Sequence, residues 1–407
     1  MQRHRLVWQA GSVLTMAALV AACSSSGSAA SSAPASSPPA SSAPASSPGA
    51  SGAPSAGTYL VGVPEPMTGA EAQSGTEIYN AIKLAADQIN AAGGVLGHQI
   101  VLNEQDDACD PQTSVNAANK LVSLGVQAVV GGYCSSAALP AEPIYARAGI
   151  PNLQAAANAS TLTQHGYSDV FLLDPNGALQ AQEASSFFLN VLHAKKILIA
   201  DDQSAYAVNV AQLAQQDITK AGGTVLPVQA VPASTQDFTP VITTLRSDGA
   251  DAVYWTGYYA QAALFVRQLR GAGLTIPFVT ADGSVDPAFI KDAGAANANG
   301  SYATIATTTQ FLTGSAAQTF DQAYQSAYGS APGPYSAYGY DAMEALANAA
   351  KAANSLAPAQ VIAALRTISF DGLTGPVSFA SDGTRVGAHF VVLEVVNGQY
   401  QLAPTQP

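Results

Sequence analysis

Tyr59-Leu60-Val61-Gly62-Val63 is a short apolar run, followed at helical spacing by Ile78, Ile82, Ala85 and Ile89. The run has the length of a buried strand, and the second set lies on one face of a helix. Residues 90–94, Asn90 to Gly94, supply the helix stop. Working outward, Gln99-Ile100-Val101-Leu102 reads as the next strand and 114–124 as the next helix, with Val115, Ala118 and Val122 inward. Residues 127–130 are extended again. Further strands are expected at 170–173, 196–200, 225–230, 252–255, 278–280 and 302–306, with helical patterns between most of them. Strands alternating with helices predict an α/β protein whose parallel sheets are covered on both faces.

A single sheet would have to hold about ten strands, at the upper end of what open sheets carry. An internal echo points to two sheets instead. Ala92-Gly93-Gly94 recurs as Ala221-Gly222-Gly223, and Gly125-Val126-Gln127-Ala128-Val129 recurs, at a similar offset, as Gly249-Ala250-Asp251-Ala252-Val253. Two doubly wound lobes on one plan would face each other across a cleft, because ligands of open α/β sheets sit beyond the carboxyl ends of the strands.

Composition narrows the function. The chain has 407 residues, 48% of them apolar and 10% charged, with 15 Lys+Arg against 27 Asp+Glu and a net charge of −12. Nucleic-acid binding needs clustered basic residues, which are missing here. His4, His98, His165, His193 and His389 lie far apart, so no metal site is expected, nor any cofactor. The G-x-S-x-G elbow, the G-x-x-x-x-G-K-[ST] phosphate loop and a helix-opening G-x-G-x-x-G are all missing. Asp106-Asp107 and Asp201-Asp202 read as solvated turn residues at strand ends rather than as acid/base pairs, and no enzyme is expected. Asn158-Ala159-Ser160 and Asn299-Gly300-Ser301 match the glycosylation acceptor pattern incidentally.

The first 57 residues read as address and tether. Arg3, His4 and Arg5 precede an apolar run over 7–20, which leads into Val20-Ala21-Ala22-Cys23. This resembles a bacterial lipoprotein: 1–22 as signal peptide, then Cys23 carrying the lipid that holds the protein on the outer face of the cell membrane. The alternative is an uncleaved anchor, for which the run is short. Residues 24–57 are almost wholly Ser, Ala, Pro and Gly, without charge, and repeat Ser-Ser-Ala-Pro-Ala-Ser-Ser-Pro at 31–38 and 41–48. Such a segment builds no core and reads as a linker, reaching roughly 30 Å if coiled and about 100 Å if polyproline-like. Beyond Cys23 only Cys109 and Cys134 remain. In an exported chain they are expected to pair, the alternative being two buried free thiols.

Three segments carry a more specific signal: Asp106-Asp107-Ala108-Cys109-Asp110-Pro111, Ala118-Asn119-Lys120, and Val130-Gly131-Gly132-Tyr133-Cys134-Ser135-Ser136. They resemble the first lobe of the leucine/isoleucine/valine-binding proteins, the extracytoplasmic receptors of branched-chain amino-acid ABC importers. The likeness continues through Ala148-Gly149-Ile150, Gly166-Tyr167, Val253-Tyr254-Trp255-Thr256-Gly257-Tyr258 and Gly271-Ala272-Gly273-Leu274, nearly all of 58–400. It implies a type I periplasmic-binding-protein, or Venus-flytrap, fold with two parallel-sheet lobes joined by three crossovers, near Asp174, Ser301 and Ala380. Lobe one would comprise 58–174 and 301–380, lobe two 175–300 and 381–407. Cys109 and Cys134 resemble the family's disulfide pair.

The resemblance also implies a ligand set. Ser135 matches a hydroxyl that binds the α-carboxylate, Ala156 matches a backbone contact, and Asn158 stands where the family usually has Thr or Ser. Tyr206 and Tyr258 match tyrosines that close over the ligand, and Asp282 matches the acidic residue that takes the ammonium. Burying either ligand charge unpaired would be prohibitive. Without the resemblance, Ser135 reads as a loop or cap residue, the tyrosines as core and Asp282 as a turn. Ser74 and Tyr133 depart from the family pattern in the side-chain pocket. The expected partners are an amino acid or related solute, an ABC permease and the membrane through the lipid, with the protein a monomer. The alternatives are a ligand sensor of the same fold, or a receptor for amide- or urea-type solutes.

Overall fold

The computed structural model describes residues 57–404. The first sheet contains β1 (Thr58–Glu65), β2 (Gln99–Asp106), β3 (Ala128–Gly131), β4 (Asn152–Gln154) and β5 (Val170–Leu172), all parallel, in the order β2-β1-β3-β4-β5. β1 pairs with β2 along its whole length, from Thr58 opposite Gln99 to Glu65 opposite Asp106. The second sheet is built on β6 (Lys196–Asp201), flanked by β7 (Thr224–Val225) and β8 (Gln229–Ala230) on one side. On the other side follow β9 (Ala252–Trp255), β10 (Phe278–Thr280) and β11 (Ser301–Ala306), again parallel. β12 (Phe370–Gly372) and β13 (Gly375–Val377) form a separate hairpin. β14 (Phe390–Val396) and β15 (Gln399–Leu402) close the second sheet as an antiparallel edge.

The helices cover the sheets with their apolar faces. Ile78, Ile82, Ala85 and Ile89 of the helix Ala72–Ala91 are buried against β1, and that helix packs along Ser336–Ala353. In the second lobe Trp255, Phe265, Phe278 and Phe238 interlock, with Phe238 stacked on Phe265 at 4.6 Å between centroids. Offset stacking of this kind adds to the area term of burial.

Three elements differ from the sequence reading. The expected strand at 225–230 is two strands, because Pro227 has no N–H to continue the ladder. β4 carries no periodic signal: it is three residues long and its two polar members, Asn152 and Gln154, are buried with its leucine. The hairpin β14–β15 is signalled by Asn397-Gly398, both at positive φ (53° and 75°), a pair suited to tight two-residue turns.

The crossovers also need correction. Ser301 does not begin the return to lobe one: β11 lies between β10 and β14 inside the second sheet, and removing it would leave both neighbours with unpaired backbone groups. The chain leaves that sheet only after Ala306. The last crossover likewise falls beyond Ala380. Gly383 still accepts from Leu172 N, and the Arg385 guanidinium donates to Leu173 O, so the chain stays against the first lobe through Arg385 and enters β14 at Phe390.

Candidate functional site

The carboxyl ends of both sheets face one seam, and the loops that follow the strands fill it. After β3 come Tyr133, Cys134 and the start of the helix Ser135–Ala148; after β4 come Ala156 and Asn158; after β5 comes Asp174. From the second lobe, Tyr206 lies in the first turn of the helix Ala205–Lys220 behind β6. Tyr258 follows β9, and Asp282 follows β10. The turn into the seam at Gly132 has φ 97°, and a Cβ there would lie 2.1 Å from Gln154 Oε1, so only glycine fits.

The lobes are closed on one another. Ser136 Oγ accepts from Ala205 N at 2.9 Å, Tyr259 OH donates to Ala70 O at 2.9 Å, and Ser160 N donates to Asn209 Oδ1 at 2.9 Å. At the inner end of the seam, Asn158 Nδ2 donates to both Asp282 Oδ2 (2.8 Å) and Asp174 Oδ2 (2.9 Å). Tyr206 OH donates to Asp282 Oδ1 and accepts from Gly283 N at 3.2 Å. Gln180 Nε2 reaches the Tyr206 oxygen at 3.4 Å and Thr304 Oγ1 at 3.1 Å, and Tyr335 OH donates to the Asp282 carbonyl at 2.7 Å. A Cβ on Gly283 would come within 3.0 Å of the Tyr206 ring and 3.1 Å of the Tyr258 ring, so the close approach uses that glycine.

Asp282 and Asp174 are both fully enclosed, at 2% and 0% exposure. Burial pushes both carboxyls above their ordinary range, and for Asp174 the neighbouring charge of Asp282 adds to it. Arg385 lowers Asp174 only from a distance, since its guanidinium is spent on Leu173 O, Thr374 and the Pro376 carbonyl. The two buried carboxyls thus share the one Asn158 amide donor.

Of the residues singled out from sequence, Asn158, Tyr206 and Asp282 meet directly. Tyr258 stacks near them, 5.6 Å from the Tyr206 ring and 5.8 Å from Tyr133. Ser74 is buried beside Tyr133. Ser135 is buried in the first turn of its helix, where Oγ accepts from Ala159 N at 3.2 Å, and Ala156 N donates to Gly132 O at 3.0 Å. Neither hydrogen-bonds to Asp282. Sequence reading missed Asp174, Gln180 and Tyr335 as site residues; Tyr335 meets Tyr133 edge to face at 5.4 Å between centroids. Asp174 closes a predicted strand, a position that could have flagged it, whereas Tyr335 has no local signal.

Cys109 and Cys134 are joined, with Cα atoms 5.3 Å apart. Cys23 lies outside the described residues. Next to the disulfide is a cavity of about 360 Å³ between the lobes, lined by Glu71, Cys109, Cys134, Ser136, Asp202 and Tyr258 among others. A larger groove, about 770 Å³, runs along the outer seam past Leu139, His165 and Asn209, where His165 bonds to Glu142 at 2.9 Å. No carboxylate lines it.

Residues 58–399 match the periplasmic binding protein family, and the chain belongs to it. It is 30% identical over 334 residues to the leucine-specific-binding protein of Salmonella typhimurium, covering 82% of this chain and 90% of that one. It is 35% identical over 236 residues to an amino acid binding protein of Pseudomonas aeruginosa, 58% of this chain; there the match spans 63% of the relative's length, just under two thirds. Among solved structures, the leucine-binding protein LivK of Thermotoga maritima superposes with TM-score 0.80 at 26% identity, over 85% of this chain and 98% of that one. The LivJ protein of Streptococcus pneumoniae, solved with isoleucine, gives 0.77 at 28% identity, over 84% and 98%. The fold is the two-lobed α/β architecture of these binding proteins, and the family is one of substrate-binding proteins rather than enzymes.

Proposed function

We propose that the protein is an extracytoplasmic receptor that closes its two lobes on an amino acid and delivers it to an ABC importer, without catalysing a reaction. The observation that carries this reading is the Asp282 carboxylate. It is buried in the seam, held by Tyr206 from its own lobe and by Asn158 from the other, and placed to receive an ammonium as the lobes meet. The N-terminus of the helix Ser135–Ala148, with Ser135 in its first turn, suits the α-carboxylate. The leucine-specific relatives support the same substrate class. A thermal-shift screen of the purified protein against amino acids and small amides tests it. A ligand at about 100 times its dissociation constant adds roughly 2.7 kcal/mol, a clear upward shift in Tm. Stabilisation by amides alone, with no amino acid active, would refute the amino-acid reading.

The lipid anchor belongs to the same proposal. Among the described residues no helix is long and apolar enough to cross a membrane, and Cys23 after Val20-Ala21-Ala22 is the attachment point the sequence supplies. Cys23→Ala is expected to release the protein from the membrane fraction. A variant that stays membrane-bound and unshortened would favour an uncleaved anchor.

A further inference from the structure

The cavity beside the disulfide has an unusual balance of charge. Glu71, from the loop between β1 and the helix Ala72–Ala91, faces it from the first lobe, and Asp202, after β6, faces it from the second. Asp286 lies close enough to raise the Glu71 carboxyl further. No lysine, arginine or histidine is among the lining residues.

Glu71 is 6% exposed, and its Oε2 has no hydrogen-bond partner; Asp286 is 2% exposed and its Oδ2 is likewise unpartnered. Asp202 is better served, accepting from Ser204 N at 2.9 Å and Tyr258 N at 3.3 Å. A buried carboxyl oxygen without a partner is costly as the anion, so without a counter-charge Glu71 is held largely protonated, its pKa raised to about 8, and a cation brought beside it would restore its charged form. A metal ion does not account for these oxygens, since no three ligating groups converge among the described residues. Tyr258 connects these acids to the Asp174–Asp282 pair: its N–H donates to Asp202 Oδ2 at 3.3 Å, and its ring lies against Gly283, the residue after Asp282. The Tyr258 hydroxyl is kept neutral by burial and by the charges of Asp202, Glu71, Asp282 and Asp107 around it, and the Tyr133 ring lies against it. Tyrosine faces favour an organic cation over a bare aliphatic chain.

The seam thus offers two acidic ends separated by an aromatic middle: Asp282 with Asp174 at one, Glu71 with Asp202 at the other. We propose that the amino acid captured in this cleft carries a positively charged side chain, in the manner of lysine, ornithine or arginine, with Glu71 and Asp202 facing that second charge. This rests on the receptor reading above and narrows its substrate class. A leucine-like side chain would bury its methyl groups against carboxylates and leave Glu71 unpartnered.

Titration calorimetry on the purified protein at pH 7.5 tests the proposal with L-lysine and L-ornithine against their neutral counterpart L-norleucine and against L-leucine. Binding of a cationic amino acid at least tenfold more tightly than norleucine is expected. Glu71→Gln and Asp202→Asn, which keep shape and remove charge, should each shrink that ratio by tenfold or more. Norleucine or leucine binding as well as lysine overturns the proposal while leaving the receptor reading intact. A lysine preference that survives both substitutions overturns the assignment to this acidic end. Failure of all four to bind overturns the proposal, and the receptor reading falls with it only if no amino acid is active in the thermal-shift screen.

Discussion

The Asp282 carboxylate, enclosed to 2% exposure, faces a tyrosine hydroxyl, an amide and a second carboxyl, and in the proposed reading it takes the ammonium of the ligand. Removing one partner of a buried charge pair costs about 3–5 kcal/mol, or roughly two to four decades of affinity. Asp282→Ala should therefore nearly abolish binding in calorimetry. Tyr206 donates to that carboxylate rather than to a neutral group, so Tyr206→Phe is expected to cost about 1.5–3 kcal/mol, one to two decades. If Asp282→Ala binds like the parent while Ser135→Ala does not, the ligand has an anionic group and no paired ammonium. Asp282 could be picked out from sequence because it follows a strand end and resembles a family position. Its partner Asn158 is 124 residues away, and no local pattern reports that the two share a hydrogen bond.

At the scale of elements, the segment after β2 shows how local chemistry builds the site wall. Asp106 Oδ1 accepts from Met67 N and Ala108 N at 2.9 Å, and Asp107 Oδ1 accepts from Cys109 N at 2.9 Å, which turns the chain sharply. Ala108 and Cys109 take positive φ (51° and 55°) in that turn. Asp110 then caps the helix Pro111–Ser123 with bonds to Gln112 N and Thr113 N, and Pro111 sits where no N–H is needed. The disulfide ties this turn to the loop that begins the helix Ser135–Ala148, across 25 residues of chain. In the chain-entropy picture that closure is worth about 3 kcal/mol, so the Cys109→Ser, Cys134→Ser double variant should unfold at correspondingly lower denaturant. Alkylation of the unfolded, unreduced parent should label neither residue. Labelling of both would show that the pair is not joined.

Over the whole molecule, buried carboxyls set the pH response. Glu71 is pushed up to about 8 by burial and by Asp202 and Asp286, Glu77 to about 7 and Glu142 to about 9, chiefly by burial, from ordinary values of 4.5. Between about pH 4.5 and 9 the folded protein holds protons that the unfolded chain has already lost. Stability is then present below the unfolded value and is lost as pH rises through the folded ones. The Tm of the ligand-free protein should fall from pH 5 to pH 9. A Tm that stays level or rises over that interval would contradict these protonation states. Apolar periodicity and strand-helix alternation were enough to establish covered parallel sheets, because burial on a sheet or helix face imposes a repeat that survives in a single chain, while the division into two lobes was read from the internal echo and the family resemblance. The pairing of Cys109 with Cys134 was legible too, because they are the two cysteines left after Cys23. The membership of β11 in the second sheet, the late last crossover, and the meeting of Asn158, Asp174, Asp282 and Tyr335 were decided by tertiary structure alone. Each is a relation between segments distant along the chain, set by which backbone groups and charges must be paired when the lobes close, and no repeat within one segment encodes it.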